Sequence, residues 1–142
     1  MKKLILGLTV VLFLIGLTAC GGGKYADIKD FMNKSVEANE KFAAAAEKAE
    51  NVDDAIAVIE KFAADMKVLM PKMKEILEKY PEFKDETKMP EELKAMKTKG
   101  DESSKKMQAA MQKLSQTYMQ DAKFQAAMME MGKVMTEAMG GQ

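Results

Sequence analysis

The stretch NVDDAIAVIEKFAADMKVLMPKMKEILEKYP, residues 51–81, decides how the rest of the chain is read. Apolar residues recur at Ile56, Ile59, Phe62/Ala63, Met66, Leu69/Met70, Met73, Ile76/Leu77 and Tyr80. Steps of three and four place them on one face of a long helix, in a heptad-like seam. Asn51 is suited to cap its start, and Asp53 and Asp54 fall in the first turn, where the helix dipole favours negative charge. Pro71 removes one backbone hydrogen bond from the interior, which predicts a kink near Lys67, and Pro81 ends the helix.

The same spacing extends outward in both directions. Before it, Ile28, Phe31/Met32, Val36, Phe42/Ala43, Ala46 and Ala49 predict a first helix from Tyr25. After it, residues 82–89 read as a charged loop, and Pro90-Glu91-Glu92 suits a helix start. A third seam follows through Leu93, Met107, Ala110/Met111, Leu114, Tyr118, Phe124, Met128, Met131, Met135 and Met139. It has two weak points: Gly100-Asp101 as an interruption, and Asp121 as the cap of a fresh helix beginning at Ala122. The chain is rich in Ala, Lys, Glu and Met and poor in β-branched residues, so no strands are expected. Each stripe alone leaves an apolar face uncovered. The expected fold is therefore all-α, an antiparallel three-helix, coiled-coil-like bundle over residues 25–142, or a four-helix one if Asp121 is a true break.

The N-terminus has a different character. Lys2 and Lys3 precede mainly apolar residues 4–17, and no further charge appears until Lys24. The run is shorter than the roughly 20 residues that span a bilayer, so it reads as a cleaved leader. It closes on Leu17-Thr18-Ala19-Cys20, the only cysteine of the chain, followed by Gly21-Gly22-Gly23. This region resembles bacterial lipoprotein precursors, whose lipobox it matches. The resemblance implies removal of residues 1–19 after Ala19, diacylglycerol on the Cys20 sulfur, usually a further acyl chain on its amino group, and residues 20–24 as a short flexible tether. Two or more chains anchor firmly where one holds marginally. Gly21, in place of the aspartate that commonly retains such proteins in the inner membrane, favours the outer membrane of a Gram-negative cell envelope.

Cleavage after Ala19 leaves 123 residues with 20 lysines against 22 acids, a net charge of −2. That balance, with no arginine, offers neither a polycation nor a bidentate reader of phosphate or guanine, so nucleic-acid binding is not expected. The acid pairs Asp53/Asp54, Asp85/Glu86, Glu91/Glu92 and Asp101/Glu102 fall at expected helix starts or loops, where dipole and solvent account for them. With no histidine and no nucleophile set beside a base, no catalytic residues, cofactor or hard-metal ligands are assigned, and the chain is read as non-enzymatic.

Composition shifts near residue 107. Residues 24–106 hold 17 lysines and 19 acids; residues 107–142 hold three of each, with eight of the 15 methionines and glutamines at 108, 112, 116 and 120. Flexible thioethers pack cores and also adapt to varied partners. Met107, Met111 and Met128 are expected in the core, with Met135 and Met139 partly exposed on a helix that outlasts its neighbours. Two function classes follow. One is a lipid-anchored structural or interaction module that meets an envelope protein, another copy or the cell wall. The alternative is a periplasm-facing binding module in which the Met-rich segment holds an apolar ligand or Cu(I), for which Met107/Met111, Met131/Met135/Met139 and Met66/Met70/Met73 have helical spacing.

Overall fold

The computed structural model describes residues 23, 25–85 and 88–138; the leader, Cys20 and Met139 lie outside them. The described residues form four α-helices and no strand: α1 (Ala26–Glu47), α2 (Val52–Lys79), α3 (Glu91–Tyr118) and α4 (Ala122–Ala138), with a 3-10 turn at Pro81–Lys84. The fold is all-α, with four helices rather than three.

Local chemistry sets the ends. The Asn51 Oδ1 accepts from the Asp54 N–H at 2.9 Å, and Asp54 Oδ2 accepts from the Glu50 N–H at 3.1 Å. This reciprocal cap satisfies backbone donors that have no partner within the helix. Tyr80 closes α2 with φ −129° and ψ 71°, away from the helical region as the following proline requires. Between these ends α2 continues on both sides of Pro71.

Asp121 is the break that separates three helices from four. Its Oδ1 accepts from the N–H groups of Lys123 at 2.8 Å and Phe124 at 3.2 Å, and Gln125 Nε2 donates to the Met119 carbonyl at 2.7 Å. The chain turns there, and α4 folds back instead of extending α3. Gly100, by contrast, does not interrupt α3, so Asp101 and Glu102 lie mid-helix rather than at a helix start. An ion pair from Lys97 to Asp101 at 2.8 Å spans the glycine, and the inward face continues past it through Met96, the buried polar Ser103 and Met107.

Pairs of residues give the directions. Asp27 meets Lys79 at one end of the α1/α2 hairpin and the rings of Phe42 and Phe62 lie 4.8 Å apart nearer the other, so these helices are antiparallel. Lys29 pairs with Glu92 and Asn39 reaches Ser103, so α3 runs parallel to α1, its principal neighbour. Lys123 lies 3.9 Å from Asp53, and Val134 and Ala138 lie by Lys67 and Pro71, so α4 runs parallel to α2. Helices consecutive in sequence run antiparallel, while those packed most closely across the connections run parallel.

The interior has two apolar parts. One gathers Phe42, Ala46, Ala55, Ile59, Phe62, Leu114, Phe124 and Met131 at the α1/α2 turn. The other gathers Tyr25, Ile28, Tyr80 and Leu93 at the opposite end. In α3 a polar contact lies between them: Ser103, 1% exposed, donates from Oγ to the Gly100 carbonyl at 2.9 Å and accepts from Asn39 Nδ2 at 3.2 Å. Among the described residues no buried side-chain nitrogen or oxygen lacks a partner.

Candidate interaction surface

Because α3 covers the flank of α1 and α4 the flank of α2, one long face of the α1/α2 hairpin stays open. Its apolar floor is made by Ala38, Phe42, Ala45, Val58, Val68 and Leu69, and three adjoining hollows of about 190, 220 and 320 Å3 run along it. Val68 is 63% exposed, an apolar side chain that the fold leaves facing solvent. The rims are charged. On α1, Lys34 pairs with Asp30 at 2.7 Å and Lys41 with Glu37 at 2.6 Å, each one helical turn apart. The Lys41 ammonium holds the Glu37 carboxyl below its ordinary value, and Glu37 in turn raises Lys41. Such exposed pairs add little stability, and what they do here is leave the α1 rim nearly neutral.

At the far end of the hairpin, the chain from Gly23 enters α1 beside an aromatic cluster. The Tyr25 ring centroid lies 5.7 Å from that of Tyr80 and 5.6 Å from that of Phe83. The Gly23 carbonyl accepts from the Ala26 N–H at 3.1 Å. Asp27 accepts from Lys79 Nζ at 2.6 Å, from the Ile28 N–H at 3.0 Å and from the Tyr80 hydroxyl at 3.2 Å. Those donors, Lys79 foremost, hold its carboxyl below the usual carboxylate value against a smaller opposing effect of burial. Tyr25 and Asp27 thereby tie the start of α1 to the end of α2.

Three methionines expected in the core lie at its edge, while Met135 is partly exposed as expected. Met107, Met111 and Met128 are partly buried, packed against the core rather than enclosed in it, whereas Met131 is buried. Met135 also packs against that core, because α4 returns along α2 instead of projecting past it. Met119 and Met129 are exposed. The spaced Met pairs of α3 and α4 thus contribute to the apolar seam that a helical repeat requires. The glutamines at 108, 112, 116 and 120 all face solvent.

Members of the acid pairs serve as a cap and in ion pairs, within a helix or turn and, for Glu92, across to α1. Asp54 caps α2, Asp85 pairs with Lys88, Glu91 with Lys94 and Glu92 with Lys29. Among the described residues no three His, Cys, Asp or Glu side chains gather as a metal site, and no helix is long and apolar enough to cross a membrane. The open α1/α2 face was missed in the sequence because it joins stripe residues such as Phe42 and Leu69 with residues beside the stripes, Ala45, Val58 and Val68, whose burial depends on the neighbours. Val68, off the seam yet apolar, was the one available signal. No family model, curated protein or solved structure matches this chain.

Proposed function

We propose that this protein is a bacterial envelope lipoprotein, held to the membrane through Cys20 and acting as a non-enzymatic interaction module through the open face of the α1/α2 hairpin. The observation that carries the reading is Leu17-Thr18-Ala19-Cys20 behind a basic and apolar leader, with three glycines after it. A lone cysteine at that place is accounted for by lipid attachment, and the glycines supply the reach between membrane and domain. The aromatic end, where Tyr25 packs against Tyr80 and edge-on to Phe83, is then the membrane-proximal end. The face itself is supported as an interaction surface by an apolar floor on which Val68 stands exposed and by its charged rims. It is shallow, and suits a protein surface better than an enclosed small molecule.

The test is Cys20→Ser in the full precursor. The hydroxyl cannot replace the thiol in forming the thioether, so the variant should lose incorporated fatty acid and leave the detergent phase on phase separation. Unchanged partitioning with undiminished fatty-acid labelling would refute the anchor.

A further inference from the structure

The α2 rim of the open face has a charge order that complements itself. Lys61, Asp65, Val68, Lys72 and Glu75 recur at steps of four and three, which at about 100° per residue keeps all five within roughly 80° on one side of the helix. All five line the hollows between α1 and α2. Read outward from Val68, each charge has its opposite on the other side: Glu75 answers Lys61, each seven residues away, and Lys72, four residues after Val68, answers Asp65, three before it. Among the described residues none of these four charges makes an ion pair within 4 Å inside the chain, although Asp65 acts on Lys41 across the groove; the facing rim of α1 is neutralised mainly by its own pairs.

We propose that the occupant of this face is a second copy of the chain, docked about a two-fold axis that passes by Val68 and Ala38, with the two α2 helices antiparallel. In an isologous contact the same patch serves both copies, so residue i meets j and j meets i. With Val68 on the axis, Lys61 is level with the partner's Glu75, while Asp65 lies one residue, about 1.5 Å of rise, from the level of the partner's Lys72, an offset its long side chain spans, and symmetry repeats both pairs. Val68 meets the partner's Val68 between them. A surface made for an unrelated protein has no need of charges that reverse sign about one of its own residues. The size is also suitable. The grooved stretch is about 27 Å long at 1.5 Å per residue and about 20 Å wide for two adjacent helices, which gives on the order of 1,100 Å2 buried by the pair, at the low end for a specific interface.

The inference deepens the interaction reading above and rests on it for the choice of face. Membrane partitioning reads the anchor and sedimentation reads the self-association, so one can fail without the other. The full chain, extracted from membranes in mild detergent, should sediment as a reversible dimer. Lys61→Glu and Glu75→Lys each turn two attractive pairs repulsive and should each weaken association about tenfold at low salt, with unchanged helix content because both positions are exposed. Combining them restores opposite charges across the interface and should restore the dimer. Val68→Cys should form a disulfide-linked dimer well above the background of the parent chain with its own Cys20. A monomer at every concentration, a dimer indifferent to both reversals, a double variant as weak as the single ones, or absence of the Val68→Cys crosslink would each overturn the proposal.

Discussion

Met129 and Met131 lie two residues apart on α4, and the fold assigns them opposite environments: Met129 is 66% exposed and Met131 8%. Truncating Met131 to alanine removes a thioether side chain from contact with the cluster that includes Phe62, Ala63 and Phe124. Buried Met→Ala changes cost about 2–5 kcal/mol. A lower value within that range, about 2–3 kcal/mol, is expected here because Met131 borders the solvent-facing hollow it shares with Ala64 and Lys67. Met129→Ala removes little buried area and replaces a good helix former with a better one, so it should change stability by less than about 0.5 kcal/mol. Urea unfolding of a chain beginning at Lys24, followed by circular dichroism at 222 nm, measures both. The expected outcome is a lower midpoint with an unchanged slope for Met131→Ala, and a curve close to the parent for Met129→Ala. Mild peroxide with mass spectrometry gives an independent check, since Met129 should oxidise well before Met131. Equal costs, or the reverse order of oxidation, would refute the placement of α4 along α2.

Asp121→Ala removes the acceptor for two N–H groups at the start of α4 and should cost about 1 kcal/mol, with amide-exchange protection lost first in residues 122–126. Gly100→Ala should stabilise the chain by up to about 1 kcal/mol in the same urea assay, because the helix is continuous there and a methyl group would meet nothing within 4 Å. Asp27→Asn tests the tie between α1 and α2 through pH. The Asp27 carboxyl is depressed in the folded state, so its contribution is present above the unfolded value near 3.8 and is lost as pH falls through the folded value. The stability gap between parent and variant should be constant near neutrality and close on acidification below that value; a gap that persists in acid would show that the pairing is not its source.

Helix identity and most helix boundaries were legible from the amino-acid order because their causes are local. The three-four spacing of Ile59, Phe62, Ala63 and Leu69, the Asn51 cap and the stop at Pro81 each act within a turn or two of chain, and the fold uses all of them. Asp121 was legible as a choice between three helices and four, and its side chain makes the cap that resolves it. Gly100 misled because a glycine lowers local helix propensity by only about 1 kcal/mol, which the packing of Leu93 and the buried Ser103 on either side outweighs. The buried Ser103 was absent from the apolar stripe because it is polar; what buries it is Asn39, distant in sequence, as its hydrogen-bond partner.

Which helix lies against which was decided only in three dimensions. An apolar stripe states that one face must be covered and not by what, so the parallel pairing of α1 with α3 and of α2 with α4 depends on how the whole set of stripes can be buried at once. The same holds for the methionines: identical side chains at 129 and 131 differ because α4 turns back along α2 and covers one side of itself. The sequence determined the helices and their caps, all carried by neighbouring residues. The tertiary structure determined the open α1/α2 face, since a side chain at the edge of a stripe is buried or exposed according to what packs beside it.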